Sequence, residues 1–257
     1  MDKAVVIVGI GEMGGVFARS LLRTGYPVFP VVRGDSLETA AALVPAPEMV
    51  LVAVAEADLE KVLAGMPTRW RDRIALLQNE LLPRDWLAHD LEEPTVISVW
   101  FEKKKGAEAR SIVPSPVFGP HASLLSAALG SIDIPTEILS DPNELLFELV
   151  RKNLYILTAN LCGLKTGGTV EALWRDHEPF ARAVGSDILD LQEWLTGKTL
   201  DRERLTRAML TAFEGDPDHL CMGRSAPARL DRAIALANKA GLEVPRLREL
   251  VRETASG

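Results

Sequence analysis

The chain has 257 residues, 47% of them apolar, which suits one large domain or two modest ones with an ample core. Its net charge of -7 offers no footprint for a polyanion and argues against nucleic acid as a main partner. Cys162 and Cys221 are distant in sequence and in no metal-ligand spacing, which excludes a disulfide framework or a structural zinc site and fits a reducing compartment, by default the cytoplasm.

The apolar stretch 4–10 is too short and too glycine-bounded for a signal peptide or a membrane span, so it predicts a first strand and no membrane partner. Short β-branched runs at 4–8, 28–32, 49–54, 74–77 and 95–100 then alternate with helical stretches, as a parallel sheet with crossover helices requires. Residues 101–119 predict a hairpin that extends the sheet at an edge, with Lys103, Lys104 and Lys105 on its solvated rim. From "SDPNE" onward, where Ser140 or Asp141 can cap a helix that Pro142 begins, apolar residues fall at helical spacing nearly to the end. The expected fold is α/β: an N-terminal Rossmann dinucleotide-binding domain over 1–140, then an all-α domain over 141–257.

Gly9, Gly11 and Gly14 form G-x-G-x-x-G between the first strand and the first helix. The first glycine permits the tight turn, the second lets backbone approach a pyrophosphate, and the third lets the helix pack on the strand. The helix start, with Glu12 and Met13 in the loop, then faces the phosphates. The second strand closes on Arg33, where an NAD site would place an acidic residue on the ribose hydroxyls. An arginine there favours the 2′-phosphate of NADP through a bidentate contact, and Ser36 adds a hydroxyl; Asp35 keeps NAD open.

The order of these motifs and of several later ones resembles the ketopantoate reductase (2-dehydropantoate 2-reductase) family. "LLQNEL" supplies Gln78 and Asn79 where the family carries an asparagine near the nicotinamide, and "FGPHA" is similar to its late glycine-proline element. "VRKNLYILTANLCGL" resembles the helix bearing the catalytic lysine, and "LDRAIALANKAGLEVPRLREL" its last two helices. The resemblance implies NADPH held by the glycine loop, Arg33 and Asn79. It also implies Lys152 as catalytic acid, Asn160 as a catalytic or substrate-binding residue, a small carbonyl substrate, and a helical domain that serves substrate binding and dimerisation.

Departures fall at the site itself. Ala55 stands where the family has a lysine, Glu80 where it has a glycine, Ile156 where it has an asparagine, and Arg229 where it has the catalytic glutamate; Asp231 matches. The family's substrate-binding serine corresponds to Cys221 or to nothing, the register between Met222 and Arg229 being open. Independently of the resemblance, Leu149, Lys152, Ile156 and Asn160 share one helical face, so apolar neighbours flank the ammonium and favour proton donation to a developing alkoxide. If Arg229 shares that cleft, the pair of cations favours an anionic ligand such as a dicarboxylate or phosphorylated carbonyl. His177 and His219 are expected on the surface, His121 is a candidate for the cleft, and the five tryptophans are expected as packing. The leading expectation is an NADP-dependent oxidoreductase reducing a small 2-oxo acid or related carbonyl. The alternative is a dinucleotide-binding sensor or scaffold without turnover.

Overall fold

The computed structural model describes residues 3–103, 106 and 108–254. The chain divides into two compact units, Met1–Leu149 and Val150–Gly257. The change in residue pattern at 140 marks the start of a long helix, α6 (Pro142–Thr166), whereas the units part inside it, because the helix is unbroken across the junction.

The first unit is built on β1 (Val5–Val8), β2 (Val28–Val31), β3 (Met49–Val52), β4 (Ile74–Leu76) and β5 (Thr95–Ile97). Each is mostly apolar and short, and β1, β3, β4 and β5 are buried throughout, as strands covered on both faces must be. Helices α1 (Glu12–Arg23), α2 (Leu37–Leu43), α3 (Glu56–Ala64) and α4 (Pro83–Leu87) make the connections, with a 3-10 turn at Thr68–Arg73. The sheet runs β2-β1-β3-β4-β5 in parallel, so the connections after β1 and after β3 leave in opposite directions and open a crevice beyond the carboxyl ends of those two strands. Val5, Ile7, Met49 and Leu51 of the sheet pack with Phe17 and Leu21 of α1 and Leu125 and Leu129 of α5 (Ala122–Gly130).

The region after β5 realises the expected hairpin at the sheet edge only in part. β6 (Phe101–Glu102) and β7 (Arg110–Ser111) pair only with each other. The sheet is extended instead by β8 (Ser115–Phe118), antiparallel to β5, and by β9 (Thr136–Ile138), parallel to β8. The physical reason is that β8 takes the edge of β5: the Ser98 amide donating to Pro116 O and the Trp100 amide to Ser115 Oγ carry that pairing past Ile97 and leave β6 and β7 to each other. Phe101 is thereby turned onto Phe17 of α1, ring centroids 6.1 Å apart. Lys104 and Lys105 lie outside the described residues.

The second unit is helical: the Val150–Thr166 part of α6 with α7 (Val170–Thr196), α8 (Arg202–Gly215), α9 (Ala226–Ala240) and α10 (Pro245–Thr254). α7 kinks at His177, two residues before Pro179, whose ring cannot follow an unbroken helix. Asn153 of α6 donates to Gln192 of α7, and the Asp187 carboxylate accepts the Arg246 and Leu247 amides that open α10. Gly241, in the left-handed region at φ 69°, closes α9 before Pro245 starts α10, as the glycine-to-proline pattern predicts. No helix among the described residues is long and apolar enough to cross a membrane.

Candidate functional site

The glycine loop sits at the crevice, and its three glycines serve different ends. Gly9 has φ +96°, and a Cβ there would lie 2.8 Å from Ala53 O; one at Gly14 would lie 2.1 Å from Gly9 O. Both positions are therefore closed to any side chain by the fold itself. A Cβ at Gly11 meets nothing within 4 Å, so this position is free of any internal packing demand. Gly11 is also the N-cap of α1 and provides no side-chain cap, which leaves the first-turn amides as donors for a ligand. Open space over this backbone, beside amides that no side chain caps, fits the approach of a pyrophosphate.

The two loop residues between Gly11 and Gly14 diverge. Met13 packs against the core, while Glu12 is exposed beside a cavity of about 350 Å³ lined by Gly11, Glu12, Arg19, Lys103 and Glu108 among others. Lys103 Nζ lies 3.6 Å from Glu12 Oε2, and Arg19 Nη1 lies 2.8 Å from Glu108 Oε2. Lys103, expected on a solvated rim, is instead held over the start of α1, with only 22% of its side chain exposed.

Beyond β2 the chain turns sharply through Gly34. The Asp35 carboxylate accepts the Val32 amide at 2.8 Å, and Ser36 Oγ accepts the Thr39 amide as the N-cap of α2. Both side chains thus hold the local backbone. The Arg33 side chain is 91% exposed, and its Nη2 lies 3.1 Å from Oδ2 of Asp58 in the first turn of α3. Sequence reading missed Asp58, since nothing in "AEADL" distinguishes it from an ordinary acid at a helix start.

At the carboxyl end of β4, Gln78 is buried and its amide donates to Val52 O and Val54 O, tying β4 to β3. Asn79 comes next, half-buried. Glu80 has φ 61°, the left-handed region that favours glycine, so this chain keeps a glycine-type turn with a glutamate in it. Glu80→Gly should therefore raise stability by about 0.5–1 kcal/mol, seen as a Tm higher by a few degrees; a lower Tm would show that the carboxylate's contacts outweigh the strain. Ala55 is the N-cap of α3 and offers no side-chain cap.

In the helical unit, the Lys152 ammonium stands 5.5 Å from the centroid of the Tyr155 ring, between the buried side chains Leu149 and Ile156 on the same helix. Asn160, two turns further along α6 at ~12 Å, is buried. Arg229 is buried as well, on the core face of α9, and its Nη1 donates to Asn160 Oδ1 at 2.6 Å. Asn160 Nδ2 in turn donates to Cys221 O at 3.2 Å, so one amide joins the guanidinium to the segment before α9. Gly163 allows that segment its close approach: a Cβ there would lie 2.7 Å from the Met222 amide nitrogen. The structure thus brings Asn160 and Arg229 together and leaves Lys152 further along the same helix.

The two cysteines, distant in sequence, are close enough in space to interact electrostatically. Burial pushes the Cys162 thiol far above its ordinary range and Cys221 up to about 11, so neither is a ready nucleophile. His219 is not the surface residue expected. Its ring packs against Tyr155 with centroids 5.8 Å apart, and Nδ1 lies 3.7 Å from Oδ2 of the buried Asp216. The backbone explains the correction: the Val170 amide donates to His219 O and the Cys221 amide to Gly168 O, which draws the 219–221 stretch onto the turn between α6 and α7. His177 is exposed. His121 precedes α5 at the amino end of β5, where its amide donates to Thr95 Oγ1, so it lies at the opposite edge of the sheet from the glycine loop. Partial burial holds its pKa below the ordinary histidine range.

No family model and no curated protein matches the sequence. Solved structures do match along nearly the whole chain. The 2-dehydropantoate 2-reductase from Methylococcus capsulatus superposes with a TM-score of 0.70 at 16% identity, covering 96% of this chain and 94% of its own. The chain has the ketopantoate reductase fold. A dimeric ketopantoate reductase from Staphylococcus aureus matches at TM-score 0.63 and 15% identity, over 99% of this chain and 100% of that one. A D-mandelate dehydrogenase, solved with NADH, matches at 0.66 and 13%, over 98% of each. The shared fold accounts for the sheet order, the glycine loop and the helical second unit together.

Proposed function

We propose that the protein is an NADP-dependent oxidoreductase that reduces a small 2-oxo acid or related carbonyl. The observation that carries this reading is the glycine loop: two glycines closed by packing and one, Gly11, left open beside uncapped helix amides. The nicotinamide, when bound, supplies a hydride to the carbonyl carbon. Gly11 and the amides of Glu12 and Met13 hold the pyrophosphate, Arg33 takes the 2′-phosphate, and Asn79 lies at the strand end suited to the nicotinamide side. Lys152 gives a proton to the developing alkoxide oxygen, and its positive charge stabilises that oxygen before transfer. Arg229, oriented by Asn160, supplies a fixed positive charge for a substrate anion. The neighbours that act on ketopantoate and mandelate support a 2-oxo or 2-hydroxy acid substrate, and the dimeric neighbour supports a homodimer. Two free buried thiols fit the cytoplasm.

Titration of NADPH and NADH by nicotinamide fluorescence tests the cofactor assignment. NADPH is expected to bind more tightly, and Arg33→Ala to lose ~1.5–3 kcal/mol, roughly tenfold or more, for NADPH alone. Equal affinities, or a preference unchanged in the variant, would overturn the role of Arg33. The alternative reading, a dinucleotide-binding sensor, shares the loop and differs only in lacking turnover once the nucleotide is bound.

A further inference from the structure

We infer that Asp58 is a specificity-determining residue that competes with the 2′-phosphate of NADP for Arg33 and so narrows the preference for NADP over NAD. The inference rests on the reading of Arg33 as the 2′-phosphate partner and adds to it a second residue that nothing in the glycine fingerprint indicates.

Two acids lie near Arg33, and the structure separates them. Asp35 is spent on the turn, its carboxylate accepting the Val32 amide. Asp58 is the acid that reaches the guanidinium, at 3.1 Å from Nη2. The two side chains come from different crossovers, Arg33 beyond β2 and Asp58 in the first turn of α3 beyond β3, and those strands flank β1 on either side. The pair therefore spans the crevice at the adenosine end of a dinucleotide whose pyrophosphate lies on the loop after β1. Both groups are well exposed, at 91% and 47% of their side chains, so the ion pair itself is weak and can be exchanged for a stronger partner. A 2′-phosphate presents about two negative charges and a bidentate acceptor to Arg33, but at that position it also meets the Asp58 carboxylate. A 2′-hydroxyl meets no such repulsion. Glu56 also stands in the first turn of α3, so the helix start retains an acid when Asp58 is neutralised.

The test is a pair of fluorescence titrations, NADPH and NADH, on the wild type, Asp58→Asn, Arg33→Ala and the double variant, at low and high salt, with Tm measured for each. Asp58→Asn should raise NADPH affinity about three- to tenfold while NADH affinity stays within about twofold, and the gain should shrink with salt. In the Arg33→Ala background the gain should fall well below that in the wild type, because the two residues act on one phosphate. A purely structural role at the helix start would change Tm and move both nucleotides alike, leaving their ratio unchanged, and that result overturns the inference. Wild-type binding of NADPH and NADH with an unaltered ratio in Asp58→Asn overturns the role of Asp58 alone. Absence of any nucleotide binding by the wild type overturns the dinucleotide reading itself, and this inference with it.

Discussion

Lys152→Ala is expected to lower turnover ~10²–10⁴-fold while NADPH affinity stays within about twofold. The residue is the one ammonium on a helical face otherwise made of Leu149, Ile156 and Asn160, all buried, and it is held over the Tyr155 ring at 5.5 Å. The ring contact helps to fix the direction of the side chain. The role assigned is delivery of a proton and stabilisation of charge that develops only during reduction. Its loss should therefore appear in kcat more than in KM. Removing a cation–π contact alone would instead lower Tm modestly and leave kcat nearly intact. Lys152→Arg separates charge from proton donation: an arginine keeps the positive charge but is a far poorer acid, so it should recover only part of the loss.

Gly11→Val is expected to abolish dinucleotide binding without unfolding the protein. A Cβ at this position meets nothing within 4 Å, and the backbone angles, φ -86° and ψ -164°, are open to any residue. The cost to the fold is that of a poor N-cap, about 1 kcal/mol. The cost to the ligand is larger, because the side chain occupies the approach to the first-turn amides and removes charge-assisted hydrogen bonds worth ~1.5–3 kcal/mol each. Two such bonds correspond to roughly a hundredfold or more in affinity. Circular dichroism and nucleotide titration on the same preparation check both halves. Binding that survives would reduce the loop to an ordinary turn.

How far the sequence reaches is seen at single residues. The parallel strands were legible because each is a short apolar run bounded by turn residues, and the glycine loop because spacing after a strand carries a mechanism. Glu80 was legible as a departure, yet only its φ of 61° shows that the glycine-type turn survives the substitution. The β6–β7 pair was misplaced because β8 takes the edge of β5, with Ser98 and Trp100 bonded to Pro116 and Ser115, and periodicity does not record which partner an amide selects. Asp58, Lys103 and the His219–Asp216 pair were not legible at all. Asp58 and Lys103 depend on contacts between segments remote in sequence, as does the seating of the local His219–Asp216 pair on Tyr155, and an isolated acid, lysine or histidine gives the same signal on any solvated surface. Arg229 was singled out only through the resemblance, and its burial against Asn160 emerges only from the packing of α9 on the core.

The most direct test of the central claim is the rate of NADPH oxidation by the wild-type protein across a panel of 2-oxo acids, including dicarboxylates, with Lys152→Ala run alongside. The expected result is substrate-dependent oxidation by the wild type for at least one of the acids, lost ~10²–10⁴-fold in the variant. Tight NADPH binding with no oxidation above background for any carbonyl in the panel would contradict the reductase assignment and leave the protein a dinucleotide-binding sensor.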